Sequence, residues 1–169
     1  VVDELVIVDS FSTDGTEEIA RQYGARFLQN RFEGHIEQKN YAVQQASHDI
    51  ILSLDADEAL SPRLAQAILA VKSNWGPYHA YAANRLNRYG QRWIRYGKWY
   101  PDRKVRLFDR RQAAWGGDNP HDKVIIKKAH VGRLKGDILH LTYQPEDLLG
   151  VYEAHYKQLN FFTSEWAKG

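Results

Sequence analysis

The chain has 169 residues, 43% of them hydrophobic and 26% charged, which suits one water-soluble compact domain with a real core. It has no cysteine, so disulfides, cysteine metal sites and a thiol nucleophile are excluded. The formal net charge of +2 is too small to argue for nucleic acid, and no apolar run is long enough to span a bilayer. The chain opens on Val1 and contains no Met, which reads as a fragment of a longer protein.

Residues 5–9 (LVIVD) form a short apolar run ending in a carboxylate, the pattern of a buried parallel strand. SFSTDG then marks a turn. Asp14 or Thr16 can cap the next helix, Glu17 and Glu18 suit its first turn, and Gly24 stops it. A second strand is expected over 25–29, a second helix over 36–45 and a third strand over 49–54. Ser61 and Pro62 open a third helix as cap and first residue. This alternation predicts an α/β fold with a mostly parallel sheet. Further strands are expected over 80–86, 105–109, 123–126 and 137–141, and a long amphipathic helix from Pro145 toward Trp166. The apolar stripe of that helix suits packing on the sheet, with membrane or partner contact as the sharper alternative.

Ligands of open α/β sheets lie beyond the carboxyl ends of the strands. Two predicted strands end there in acid, Asp9 and Asp55, and both are expected to face one crevice. Asp57 follows Asp55 by two residues on a tight turn. Carboxylates so spaced suit a hard divalent cation shared with phosphate oxygens, one acid to the metal and one to a ribose. Taken alone, acids after a strand are at least as often turn formers or helix caps.

The order of segments decides between these readings. LVIVDSFSTDGTEEIARQYGA, EQKNYAVQQASHDIILSLDADEALSP, YPDRKVRLFDRR and PHDKV together resemble the family 2 glycosyltransferases. The last two, with GDILHLTY, are similar to the subgroup that builds lipopolysaccharide core. The resemblance implies a GT-A-like twisted sheet flanked by helices, with the family's opening strand absent here. It implies a single catalytic domain, with residues 1–75 as nucleotide-sugar half, 76–145 as acceptor half and 146–169 as C-terminal helix. It implies inverting transfer of a sugar, glucose in the best-known members, from a UDP-sugar to a glycolipid or glycan hydroxyl, with Mg²⁺ or Mn²⁺ as cofactor. The setting would be the cytoplasm at the inner face of the membrane. Carried over by position, Asp9, Lys39 and Asp55 would bind the nucleotide, Asp57 the metal, and Asp122 would be the general base. In the His121-Asp122 pair the acid stands where the family usually has Glu. His121, Arg106 and Trp99 would contact the acceptor. His140 is expected to be a packed or hydrogen-bonded histidine.

A basic aromatic stretch runs through residues 85–111. Aromatic faces stack on sugars and Arg forks grip phosphate, so an anionic glycolipid or an anionic membrane surface fits it slightly better than a plain solvated face does, and single-stranded nucleic acid ranks well below both. A non-catalytic nucleotide-sugar or glycan-binding module is the competing reading.

Overall fold

The computed structural model describes residues 1–119, 121–127 and 130–141. The helix expected beyond Pro145 lies outside them. The elements are β1 (Val6–Asp9), α1 (Thr16–Gln22), β2 (Arg26–Gln29), α2 (His35–Gln45), β3 (Ile50–Leu52), β4 (Glu58–Leu60), α3 (Pro62–Ser73), β5 (Ala80–Tyr89), β6 (Arg92–Trp93), a 3₁₀ turn (Gly97–Trp99), β7 (Asp102–Asp109), β8 (Ala113–Asp118), β9 (His121–Ile126) and β10 (Val131–Leu141).

The helix ends follow the residues that mark them. The N-cap of α1 is Gly15, without a side-chain cap, in place of the expected Asp14 or Thr16; Asp14 Oδ1 accepts the Thr16 amide at 3.0 Å from one position earlier, and Gly24, at φ +69°, donates to the Arg21 carbonyl at 2.9 Å. Only a residue without Cβ adopts that turn cheaply. Ser61 Oγ accepts the Leu64 amide at 3.3 Å, with Pro62 as the first helical residue of α3. Helix α2 has no capping side chain of its own, because Gly34 precedes it. Instead Asn119 Oδ1, from the end of β8, accepts the Ile36 amide at 3.1 Å.

The chain is α/β as expected, and its sheets are mixed. β1 pairs with β2 in parallel. The described ladders β3–β7, β4–β10, β5–β6 and β8–β9 are antiparallel. Short apolar runs report that a strand is buried and not which way its neighbour runs, so the parallel bias of the sequence pattern holds for the first pair and fades after it. The six-stranded sheet has the order β3-β7-β5-β10-β4, with β6 on β5.

The residues gather into two compact units. The first holds Val1–Ser53, Trp75–Ala82 and Val105–Arg133. Its core is Val43, Ile51, Ala80, Phe108, Ala113 and Trp115, packed by Ile36, Ala46, Val105, Val124 and Ile126. The second holds Leu54–Asn74, Ala83–Lys104 and the described residues from Leu134 onward. There Leu64, Ala65, Ile68, Leu86 and Ile138 are buried. Strand β10 passes so close to α3 that a Cβ on Gly136 would stand 2.4 Å from the Leu64 nitrogen, and Gly136 has φ +106°. Strands β5, β7 and β10 each contribute residues to both units, so the units are interleaved in sequence.

Candidate functional site

In the first unit, Asp9 ends β1 and is 8% exposed. Its carboxylate accepts the Ser12 amide at 2.7 Å and the Ser12 hydroxyl, which folds the following loop back on the strand end. Inside that loop Phe11 sits at φ +62° with its ring exposed. A non-glycine residue there is strained, and such strain is held only where neighbours fix it. Gln38 of α2 donates to Ser10 Oγ at 3.0 Å, which ties the same loop to α2.

The residue after Gln38 is Lys39. Its ammonium lies 2.7 Å from Asp122 Oδ2 and 4.3 Å from the centre of the Trp115 ring. Both side chains of the pair are largely buried, at 18% and 11% exposed. Burial by itself pushes the Asp122 carboxyl up. The hydrogen bond and charge of Lys39, with a smaller contribution from His35, outweigh it and hold the group below the ordinary carboxylate range. Asn40 fixes the wall behind the pair. Its amide accepts the Trp115 N–H at 3.1 Å and donates to the Trp115 carbonyl at 2.9 Å. The Arg106 guanidinium lies 5.1 Å from the same ring and is 7% exposed, so this arginine is a buried cation. The Trp115 indole N–H is buried without a hydrogen-bond partner among the described residues. His121 is exposed at the start of β9, paired in register with Asp118.

In the second unit the D-A-D-E segment is a tight turn. Glu58 N–H donates to the Asp55 carbonyl at 2.9 Å, and Asp55 N–H donates to Glu58 Oε2 at 3.2 Å. Glu58 is buried, with an Arg85 nitrogen 4.0 Å away. The turn leaves the Asp57 carboxylate 48% exposed, with Oδ2 2.9 Å from His140 Nε2. His140 Nδ1 lies 2.7 Å from Asn87 Oδ1, and Asn87 Nδ2 donates to the Trp99 carbonyl at 3.4 Å. That donation orients the Asn87 amide with its oxygen toward His140, so Nδ1 donates to it. Nε2 faces the Asp57 carboxylate oxygen. The expected hydrogen-bonded histidine is present, and its partner is the second acid of the turn.

A carboxylate and an imidazole side by side are residue types that suit a hard or borderline divalent cation completed by phosphate oxygens and water. The residues therefore fit a cation that arrives with a diphosphate. Among the described residues no group of three or more His, Cys, Asp or Glu forms a metal cluster, so the protein offers at most a partial ligand set. Beside His140 a cavity of about 390 Å³ is lined by Arg85, Asn87, Lys98, Trp99, Asp102 and His140. Arg85 is held there by Asp102 at 2.8 Å, and Trp99 is 57% exposed.

The sequence-predicted residues thus fall in two clusters, Asp9, Lys39, Arg106, His121 and Asp122 in the first unit and Asp55, Asp57 and Trp99 in the second. Sequence reasoning missed Asn40, Asn87 and Trp115. Their roles come from contacts across long stretches of chain, for which no local pattern exists.

Comparison with known proteins agrees with these features. An uncharacterised glycosyltransferase of Rickettsia felis is 31% identical over 176 residues, covering 99% of this chain and 61% of that protein. One from Rickettsia typhi is 30% identical over 180 residues, covering 99% and 59%. The lipopolysaccharide core biosynthesis glycosyltransferase LpsC of Rhizobium meliloti is 37% identical over 70 residues, covering 38% of this chain and 26% of that one. The chain therefore spans about three fifths of the length of the Rickettsia relatives. Among solved structures, Staphylococcus aureus TarS (residues 1–349) superposes with a TM-score of 0.53 at 15% identity, over 90% of this chain and 54% of TarS. That likeness is one of fold, the GT-A type of α/β architecture. The model of glycosyl transferase family 2 matches residues 2–132, and with that match the chain belongs to this family.

Proposed function

We propose that the chain catalyses inverting transfer of a sugar, glucose by resemblance, from a UDP-sugar to a hydroxyl of a glycolipid or lipopolysaccharide-core acceptor at the inner face of the cytoplasmic membrane. The observation that carries the proposal is the Asp57–His140 pair, whose histidine lines the cavity that Trp99 and Arg85 also line. The printed name of the Rhizobium relative supports the acceptor class.

In this reading Asp57 and His140 hold Mg²⁺ or Mn²⁺, which would supply Lewis-acid stabilisation to the leaving diphosphate. Asn87 holds the His140 ring from its Nδ1 side, which orients Nε2 toward Asp57. Asp9, Lys39 and Asp55 bind the nucleotide. By resemblance, Trp99, His121 and Arg106 serve the acceptor, Trp99 with an exposed stacking face. Asp122 takes the proton of the acceptor hydroxyl. While Lys39 is bound to it, its basicity is suppressed.

The test is thermal-shift and turnover measurement with UDP-sugars, with and without Mn²⁺. Asp57→Ala is expected to remove the cation-dependent shift and nearly all transfer. Asp122→Asn is expected to lower turnover by about 10²–10⁴-fold and leave UDP binding intact. Full turnover by Asp122→Asn refutes the base assignment. The Lys39–Asp122 ion pair, which satisfies the base candidate, favours one rival, a module that binds donor without transferring it. Binding without any donor cleavage would establish that rival.

A further inference from the structure

We propose that the β5–β6 hairpin and the 3₁₀ turn after it form a face that docks onto an anionic lipid bilayer. The proposal rests on surface chemistry and not on the sugar-transfer reading. Between positions 89 and 99 the structure exposes three large aromatics, Tyr89 at 65%, Tyr96 at 71% and Trp99 at 57%. Residues 95–99 are exposed without interruption. Such rings are an interaction surface by default, because water leaves their apolar bodies unpaired while their polar tips stay wet.

The charge around them is one-sided. The segment Ala83–Lys104, all of it in the second unit, carries seven Lys and Arg and a single acid, Asp102. Asp102 is occupied, by Arg85 at 2.8 Å and Lys104 at 3.1 Å. Arg88 turns to Gln91 at 2.6 Å and to the Trp93 ring at 5.9 Å. Arg92, Arg95, Lys98 and Arg103 are exposed and have no carboxylate partner among the described residues.

Local geometry gathers these groups. The hairpin register sets Tyr89 opposite Arg92 and Arg88 opposite Trp93. The Ile94 amide donates to the Asn87 carbonyl at 2.9 Å, and the Asn87 side chain donates to the Trp99 carbonyl, which ties the 3₁₀ turn to β5. Amphipathic rings interleaved with long cationic side chains match the headgroup layer, where Tyr and Trp settle and Lys and Arg meet lipid phosphates. Anionic charge on the bilayer complements the four unpaired cations. No described helix is long and apolar enough to cross a membrane, and the proposed face is a surface one. Trp99 belongs both to this face and to the cavity wall, which would bring the cavity to the headgroups.

The experiment is co-sedimentation of the full chain with vesicles of phosphatidylcholine alone and of phosphatidylcholine mixed with phosphatidylglycerol. Binding is expected only with the anionic lipid, and it should weaken as salt is added. Each cation at the surface multiplies partition about 5-fold, so Arg92→Gln with Arg95→Gln should lower it roughly 30-fold. Tyr96→Ser should weaken binding while keeping the same salt dependence. Arg21→Gln, on α1 in the first unit, should change nothing, and circular dichroism should show every variant folded. Equal sedimentation with both lipids, or wild-type partition by the double variant, overturns the proposal. So does oligonucleotide binding with no vesicle binding. The readout needs no sugar, so it fails or succeeds separately from the transfer assay.

Discussion

Replacing Lys39 by Met removes the ammonium, keeps most of the stem against Trp115, and leaves Asp122 with its charge and no cation beside it. A hydrogen bond to a charged group contributes about 1.5–3 kcal/mol, and both partners here are less than a fifth exposed, so about 2 kcal/mol is expected at neutral pH. For a chain of this size that lowers Tm by about 4–8 °C. The sign of the pH dependence follows from the direction of the shift. Asp122 is held low in the folded protein, so the pair's stabilisation is present above the unfolded carboxyl pKa of about 3.9 and is lost as pH falls through the folded value. In Lys39→Met, burial is opposed only by a backbone hydrogen bond and His35, so the carboxyl sits higher than in wild type and the variant protonates first. The Tm gap should be full near about pH 7 and close steadily toward about pH 3. Adding Asp122→Asn should recover most of the loss, because no buried charge is then stranded. Thermal unfolding of wild type, the two single variants and the double variant across that range is the assay. A gap that ignores pH, or a double variant that shows the sum of the two single losses, would refute the reasoning.

Ser61→Ala removes the cap of α3 and also the acceptor of the Asp137 amide, which Ser61 Oγ receives at 3.0 Å. About 2 kcal/mol is expected, read as a lowered urea midpoint with an unchanged slope. Gly136→Ala places a methyl against the Leu64 backbone at a φ that disfavours any Cβ. It should cost about 3 kcal/mol or more, and denaturant midpoints comparable to wild type would contradict the close approach.

What the sequence disclosed depended on the range of the signal. The cap Ser61, the first helical residue Pro62, the carboxylate Asp14 and the stop Gly24 act within a turn of where they stand, and each does what its chemistry predicts. Strand β4 was not anticipated, because its three residues follow directly on an acidic turn and are defined by pairing Glu58 with His140 across the chain. Strand β8 was missed for a similar reason. Two glycines, Gly116 and Gly117, weaken its pattern, and its place is set by pairing with β9 and by the Asn40 clasp on Trp115. In the candidate site, family resemblance pointed to Lys39 and Asp122 one at a time. Their ion pair spans 83 positions and is written in no local motif. His140 and Asp57 are just as far apart, and strand register is what brings them together.

The left-handed Phe11 has a consequence for engineering. A bulky side chain there opposes the backbone shape that the Asp9–Ser12 clasp imposes. Phe11→Gly should relax the loop at the cost of extra freedom in the unfolded chain, so its net effect on melting is small. Phe11→Leu beside it keeps a Cβ at that φ and loses only the aromatic ring, so the two variants together separate the loop's shape from the ring it displays.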